Sequence, residues 1–174
     1  MIKAVFPGTF DPIHYGHIDI ARRAAELFDE IIIAVYDKPL KNLAFGAEHR
    51  LALVNEAFEG DPKIKVSPFG GLVVEFCREV QAQVIVRGLR VFSDFEHEFR
   101  MAHANRRLAP EIETMLLFTH EQHTFLSSTT VREIASLGGD ISTMVPPHVE
   151  QALLDHFLSS TDGQDGRHMT SLRD

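Results

Sequence analysis

A chain of 174 residues, 44% hydrophobic and 24% charged, is long enough for one domain with a well-buried core and short for two. Its formal net charge of −8 removes the basic footprint that general nucleic-acid binding needs, although a few convergent basic side chains can still hold a small anion. A cytoplasmic protein without membrane insertion is the expectation: no apolar run is long enough to span a bilayer, the Met1 to Phe6 start lacks a signal-peptide layout, and one cysteine fits a reducing compartment.

Short β-branched runs alternate with amphipathic ones along the chain. Lys3 to Phe6 reads as a strand, and Gly16 to Phe28 as a helix with Ile18, Ala21, Ala24, Ala25 and Phe28 on one face. Glu30 to Tyr36 is a continuous apolar run, the pattern of a strand buried on both faces. A helix from Ala47 to Phe58 and a strand from Ile64 to Pro68 follow. Leu72 to Gln81 then reads as a helix, with Cys77 as core packing, and Val84 to Val86 as a strand. Asp94 to Leu108 predicts a longer helix, Thr114 to Thr119 a strand, and two last helices begin near Ser128 and span Pro147 to Leu158. This alternation predicts an α/β fold, a Rossmann-like doubly wound parallel sheet in a single domain over residues 1–158. From Ser159 to Asp174 the chain is polar and Gly-rich, a disordered tail by composition. Ligands of such folds bind beyond the carboxyl ends of the strands, so the segments that follow strands carry the functional reading.

Four such segments stand out. In Pro7-Gly8-Thr9-Phe10-Asp11-Pro12-Ile13-His14-Tyr15-Gly16-His17 a turn leads into a helix, and two imidazoles three residues apart share one face of its first turn. Gly16 lets a phosphate approach the backbone, and the free N–H groups of the helix start favour an anion. A plain turn with surface histidines, or a metal site of Asp11, His14 and His17, remains open from these residues alone. Arg87-Gly88-Leu89-Arg90 places two guanidinium forks, suited to phosphate oxygens, after the fourth strand. Asp94 and Glu98 downstream either favour a helix start or meet a ribose or base. Ser127-Ser128-Thr129-Thr130 opens a helix with four hydroxyls, and Thr130 with Glu133 has capping-box spacing. Lys41 lies in the loop after the second strand. The G-x-G-x-x-G pattern is absent, which speaks against a dinucleotide oxidoreductase.

His14-Tyr15-Gly16-His17 resembles the H-x-G-H signature of the nucleotidyltransferase superfamily. With Arg87 to Arg90, Asp94 to Glu98, Asn105, the Ser127 to Glu133 run and Gly139-Asp140-Ile141, the chain from Lys3 to Leu158 resembles the phosphopantetheine adenylyltransferase family. It departs from that family's usual residues at Gly71, at His97 and at Thr119 to Glu121. The resemblance implies transfer of the adenylyl group of ATP to 4′-phosphopantetheine, giving dephospho-coenzyme A and pyrophosphate. It implies His17, Lys41, Thr9 and Arg90 as the catalytic set. ATP would meet Gly8, Thr9, Phe10, His14, His17, Gly88, Arg90, Asp94 and Glu98, with Ser127, Ser128 and Thr129 around its phosphates. The acceptor would meet Thr9, Lys41, Leu72, Val73, Arg87 and Asn105. Mg²⁺ would travel on ATP with no metal site in the protein, coenzyme A would act as a feedback ligand, and the assembly would be a homohexamer. Other readings stay open here: a different phosphate acceptor, such as nicotinamide mononucleotide or a polyol phosphate, or a nucleotide-binding module without turnover.

Overall fold

The computed structural model describes residues 1–38 and 43–161. Five strands alternate with helices: β1 (Lys3–Gly8), α1 (Tyr15–Leu27), β2 (Glu30–Tyr36), α2 (Ala47–Ala57), β3 (Ile64–Phe69), α3 (Val73–Glu79), β4 (Val84–Leu89), α4 (Phe92–Leu108), β5 (Glu113–Phe118), α5 (Ser128–Ser136) and α6 (Pro147–Thr161). The strands form one parallel sheet in the order β3-β2-β1-β4-β5, as the alternation predicts. Chain order reverses between β1 and β4, so the carboxyl ends of these two strands flank the crevice where such sheets bind ligands.

Period-two alternation within the central strands sorts side chains into two cores. Ala4 and Phe6 of β1 and Ile31, Ile33 and Val35 of β2 face a core shared with α1, α2, α5 and α6. Val5, Ile32 and Ala34 point the other way, to Val74, Phe76 and Cys77 of α3 and to Ala109 and Ile112 between α4 and β5. Each aliphatic side chain buried here contributes about 1.5–3 kcal/mol. In α1 the small residues Ala21 and Ala24, both fully buried, let the helix lie close to the sheet and fix the direction of its first turn.

Several boundaries differ from the sequence reading. β1 continues through Gly8, paired with Val35, and β4 continues through Leu89, paired with Phe118. Arg87 and Gly88 therefore sit within the strand, held by the β5 ladder, and only Arg90 follows it. α3 stops at Glu79 because Gln81 takes φ 58, the left-handed region that ends a helix. α4 begins at Phe92, two residues before the expected start, and puts Asp94 in its first turn. α6 reaches Thr161, past the expected end at Leu158. The tail expected from Ser159 onward is therefore helical over its first three residues, and its remainder, from residue 162, lies outside the described residues.

Candidate active site

At the carboxyl end of the sheet a cleft of about 430 Å³ is lined by the β1–α1 loop, the end of β4, the first turns of α4 and the start of α5. A second cleft of about 380 Å³ lies beside it, between the ends of β2 and β3, the start of α3 and the middle of α4. Pro7, Gly8, Thr9, Arg87, His97 and Glu98 face both, so the two share one wall.

The β1–α1 loop is tightly built. Phe10 adopts φ 50 and buries its ring edge-on to Phe6, 5.7 Å between centroids, and to His17, 5.0 Å. Gly8 must lack a side chain here, because a Cβ would stand 2.9 Å from the Phe10 ring. His14, the residue before α1, stacks on His17 with ring centroids 3.7 Å apart and planes at 21°. The backbone N–H of His14 donates to His17 Nδ1 at 3.3 Å. That bond fixes the tautomer of neutral His17: Nδ1 accepts, so the proton resides on Nε2.

Both imidazoles are held neutral. Burial, then the charges of Arg90 and His123, push the His14 pKa from 6.5 down to about 3. Burial is also the main cause for His17, which lies well below its ordinary value, with His14, Arg90 and Arg87 acting in the same sense. The cleft thus contains a neutral N–H donor beside two guanidinium groups, an environment that welcomes a phosphate oxygen.

Neither arginine is a free cation. Arg87 binds Glu98 through both prongs, Nε to Oε2 at 2.8 Å and Nη2 to Oε1 at 2.7 Å, and its Nη1 donates to the Pro7 carbonyl at 2.8 Å. Arg90 grips Asp94 through Nε at 3.0 Å and Nη2 at 3.2 Å, and its Nη1 donates to the Leu126 carbonyl at 2.9 Å. Burial alone would raise the Asp94 carboxyl, but the hydrogen bonds and charge of Arg90 hold it below its usual range. The structure thus commits Asp94 and Glu98 to arginines, where the sequence pointed to a helix start or a nucleotide contact.

At α5 the cap differs from the expected one. Ser127 is the N-cap and its Oγ accepts from the Thr130 N–H at 3.0 Å, so Thr130 supports the cap and Glu133 does not close it. Ser128 donates its hydroxyl to the Pro12 carbonyl at 2.8 Å. Ser127 and Ser128 line the first cleft; Thr129 is not among its lining residues. Four free hydroxyls are therefore not what the helix start offers; it offers Ser127, Ser128 and the first N–H groups of α5.

Of the remaining predicted residues, Gly8, Thr9, Phe10, His14, His17, Gly88 and Arg90 line the first cleft. Leu72, Val73, Thr9, Arg87 and Asn105 line the second. Gly71, at φ 81, turns the chain so that Leu72 meets that cleft. Lys41 lies outside the described residues. Sequence reasoning missed how the loop is fastened from behind: it offered Asp11 only as a possible metal ligand and passed over Arg50. Arg50, 1% exposed, donates to the carbonyls of Thr9, Tyr36 and Phe45, and Asp11, 2% exposed, accepts from the backbone of Ala44 and Phe45 and from Arg132. A charged residue on an otherwise apolar helical face, as Arg50 is beside Leu53 and Val54 in α2, was the available signal.

A cytidylyltransferase-like family model matches residues 5–134, the span that carries both clefts up to the start of α5. A phosphopantetheine adenylyltransferase from Herpetosiphon aurantiacus is 50% identical over 164 residues, covering 94% of this chain and 99% of that protein. One from Thioalkalivibrio sulfidiphilus is 52% identical over 152 residues, covering 87% and 96%. Among solved structures, a protein from Vibrio parahaemolyticus that bears the name of a nicotinate-nucleotide adenylyltransferase superposes with a TM-score of 0.68 over 89% of this chain and 93% of its own, at 22% identity. That likeness speaks for the fold alone, and the two bacterial relatives carry the assignment further. Sharing about half its residues with them over nearly its full length, and presenting the H-x-G-H turn at the mouth of a parallel sheet, the chain belongs to the phosphopantetheine adenylyltransferase family.

Proposed function

We propose that the protein transfers the adenylyl group of ATP to 4′-phosphopantetheine, giving dephospho-coenzyme A and pyrophosphate. The wall shared by the two clefts carries this reading. A nucleotide in the first and a phosphate-ended acceptor in the second would meet across Thr9, with Arg87 beside both. The second cleft supplies the apolar surface of Tyr36, Phe69, Leu72, Val73 and Met101 for an extended arm, and Asn105 as its polar partner.

The acceptor phosphate is ionised at neutral pH, so the reaction needs no general base. One of its oxygens attacks the α-phosphorus, the bond from that phosphorus to the β-bridging oxygen breaks, and pyrophosphate leaves with the electron pair. The barrier lies in bringing two anions together and in charge that grows on the transferring group, which positioned donors relieve. In this scheme His17 Nε2–H donates to the α-phosphate, and Thr9 with Lys41 holds the acceptor phosphate. Arg90, Ser127 and Ser128 hold the β- and γ-phosphates, with Gly8, Phe10, His14, Gly88, Asp94 and Glu98 shaping the nucleotide side. Thr129 would act only through its place in the first turn of α5. Mg²⁺ enters as part of the ATP substrate. The two carboxylates of the cleft are held by arginines, so the fit is to a metal carried on phosphate oxygens and water.

A homohexamer is the proposed assembly, supported by an exposed aromatic row on α4: Phe92, Phe95 and Phe99 are 89%, 40% and 50% exposed, with successive ring centroids 6.3 and 5.7 Å apart. Coenzyme A, which carries the same pantetheine arm beside an adenosine, is the proposed feedback ligand. The cytoplasm is the proposed location, in keeping with a single buried cysteine whose thiol burial pushes up to about 12. Mass-spectrometric detection of dephospho-coenzyme A from ATP, Mg²⁺ and phosphopantetheine tests the activity. Pyrophosphate release without that product would refute it.

A further inference from the structure

The loop that faces the acceptor and the helix that faces the triphosphate come from opposite ends of the chain, and a small polar network fastens one to the other. Ser128 Oγ, at the start of α5, donates to the Pro12 carbonyl at 2.8 Å. One turn further along, Arg132 Nη1 donates to the Asp11 backbone carbonyl and, at 3.1 Å, to Asp11 Oδ2. The Asp11 carboxylate is otherwise filled by the N–H groups of Ala44 and Phe45, each at 2.9 Å. On the far side of the loop, Arg50 of α2 donates to the Thr9 carbonyl at 2.6 Å and to the Tyr36 carbonyl at 2.9 Å. None of Asp11, Arg50 and Arg132 lines either cleft.

A carboxylate this deeply buried needs a charged partner, and Arg132 supplies it while also binding the loop's own backbone. We infer that Asp11 and Arg132 are positioning residues for the transfer: their pair sets the distance between Thr9, facing the acceptor phosphate, and the hydroxyl-bearing start of α5, facing the triphosphate. This rests on the adenylyl-transfer reading. The pair is not part of either binding surface, so its loss should leave substrate affinity largely intact and misplace the two reactants relative to each other. A misplacement of about 1 Å is enough to cost roughly a hundredfold in rate.

The test compares wild type, R132M, R132K and D11N by steady-state kinetics with both substrates and by thermal unfolding. In folded R132M we expect kcat to fall about tenfold or more while both KM values stay within about threefold, because only relative placement is lost. R132K keeps a charged donor for Asp11 and should recover most of the lost kcat. A folded R132M with unchanged kcat overturns the inference. So does a rise in KM for ATP at constant kcat, which would make Arg132 a ligand of the nucleotide, and so does a loss that R132K fails to restore. Should R132M not fold, D11N, close in shape and uncharged, carries the comparison: reduced kcat with intact KM supports the inference and normal kcat overturns it. Wild type that makes no dephospho-coenzyme A would instead count against the function itself.

Discussion

Lowering the pH from about 7.5 to about 5.5 tests the burial of the paired imidazoles through stability. His14 is 4% exposed and stacks on His17, and its buried Nδ1 makes no hydrogen bond among the described residues. Burial first, and Arg90 and His123 after it, take its pKa to about 3, whereas in the unfolded chain the ring titrates near 6.5. At pH about 7.5 neither state is protonated and the group contributes nothing to the pH dependence. Below 6.5 the unfolded chain takes up a proton that the folded protein refuses, so stability falls as the pH falls and continues to fall toward about 3. At pH about 5.5 the loss from His14 alone is about 1.4 kcal/mol, a shift of about 4 °C in Tm for a chain of this length. His17 acts in the same direction. The carboxyls of Glu30 and Asp94, held below their ordinary values, contribute stability that is lost only at lower pH, as it falls through their own range. Denaturant unfolding of wild type and His14→Gln at several pH values is the assay. The variant should lose about 1.4 kcal/mol less than wild type over this interval. Parallel losses in the two proteins would mean that His14 accepts a proton in the folded state, and the account of a neutral, desolvated pair would fail.

Three further outcomes bear on the chemistry. His17→Ala should lower kcat by at least about a hundredfold with little change in ATP affinity by calorimetry, since a neutral donor aimed at developing charge acts mainly in the transition state. Near-normal turnover would refute that role. Lys41→Ala should harm the KM for phosphopantetheine more than the binding of ATP, and equal losses in titrations of both would contradict the assignment. Glu98→Gln removes the charge that grips Arg87 through two hydrogen bonds and should cost about 1–2 kcal/mol in denaturant unfolding, because the half-buried guanidinium loses a charged acceptor and keeps its bond to the Pro7 carbonyl. Unchanged stability would show that Arg87 finds another partner.

Local pattern made most of the fold legible. Glu30 to Tyr36 has the bounds the apolar run predicts, because a strand buried on both faces leaves an uninterrupted signature. β4 was underestimated for the opposite reason. Arg87 and Gly88 look like turn residues, yet the parallel ladder to Leu116 and Leu117 keeps them extended, and no local feature reports a ladder. The start of α4 was hidden because its N-cap, Val91, makes no side-chain cap, so Asp94 resembled the beginning of the helix. At the site, the spacing of His14 and His17 and of Arg87 and Arg90 is readable because each pair lies within one element or one turn. Arg132 and Asp11 are 121 positions apart, and Arg50 and Thr9 are 41 apart. Such contacts have no period, so buried charge is the only trace they leave in a sequence.

The arrangement of charge explains how a chain with a net charge of −8 could hold a triphosphate and act on it selectively. Two unpaired guanidinium groups lining one cleft would repel each other. Glu98 and Asp94 remove that cost by binding Arg87 and Arg90 bidentately, and they also set the direction of each fork. In the proposed reaction, arginines already engaged in this way are assigned mostly to binding and alignment of the phosphates. Ser127 and Ser128 are similarly committed, to Thr130 and to Pro12. The Nε2–H of His17 differs: its ring is fixed from the Nδ1 side by the His14 backbone and from its face and edge by His14 and Phe10. A donor oriented by other bonds, uncharged and free of an internal carboxylate, responds most to charge that appears only as the phosphoryl oxygens flatten and crowd. Differential stabilisation is what raises a rate, and in the proposed reaction this imidazole is the group assigned to supply it.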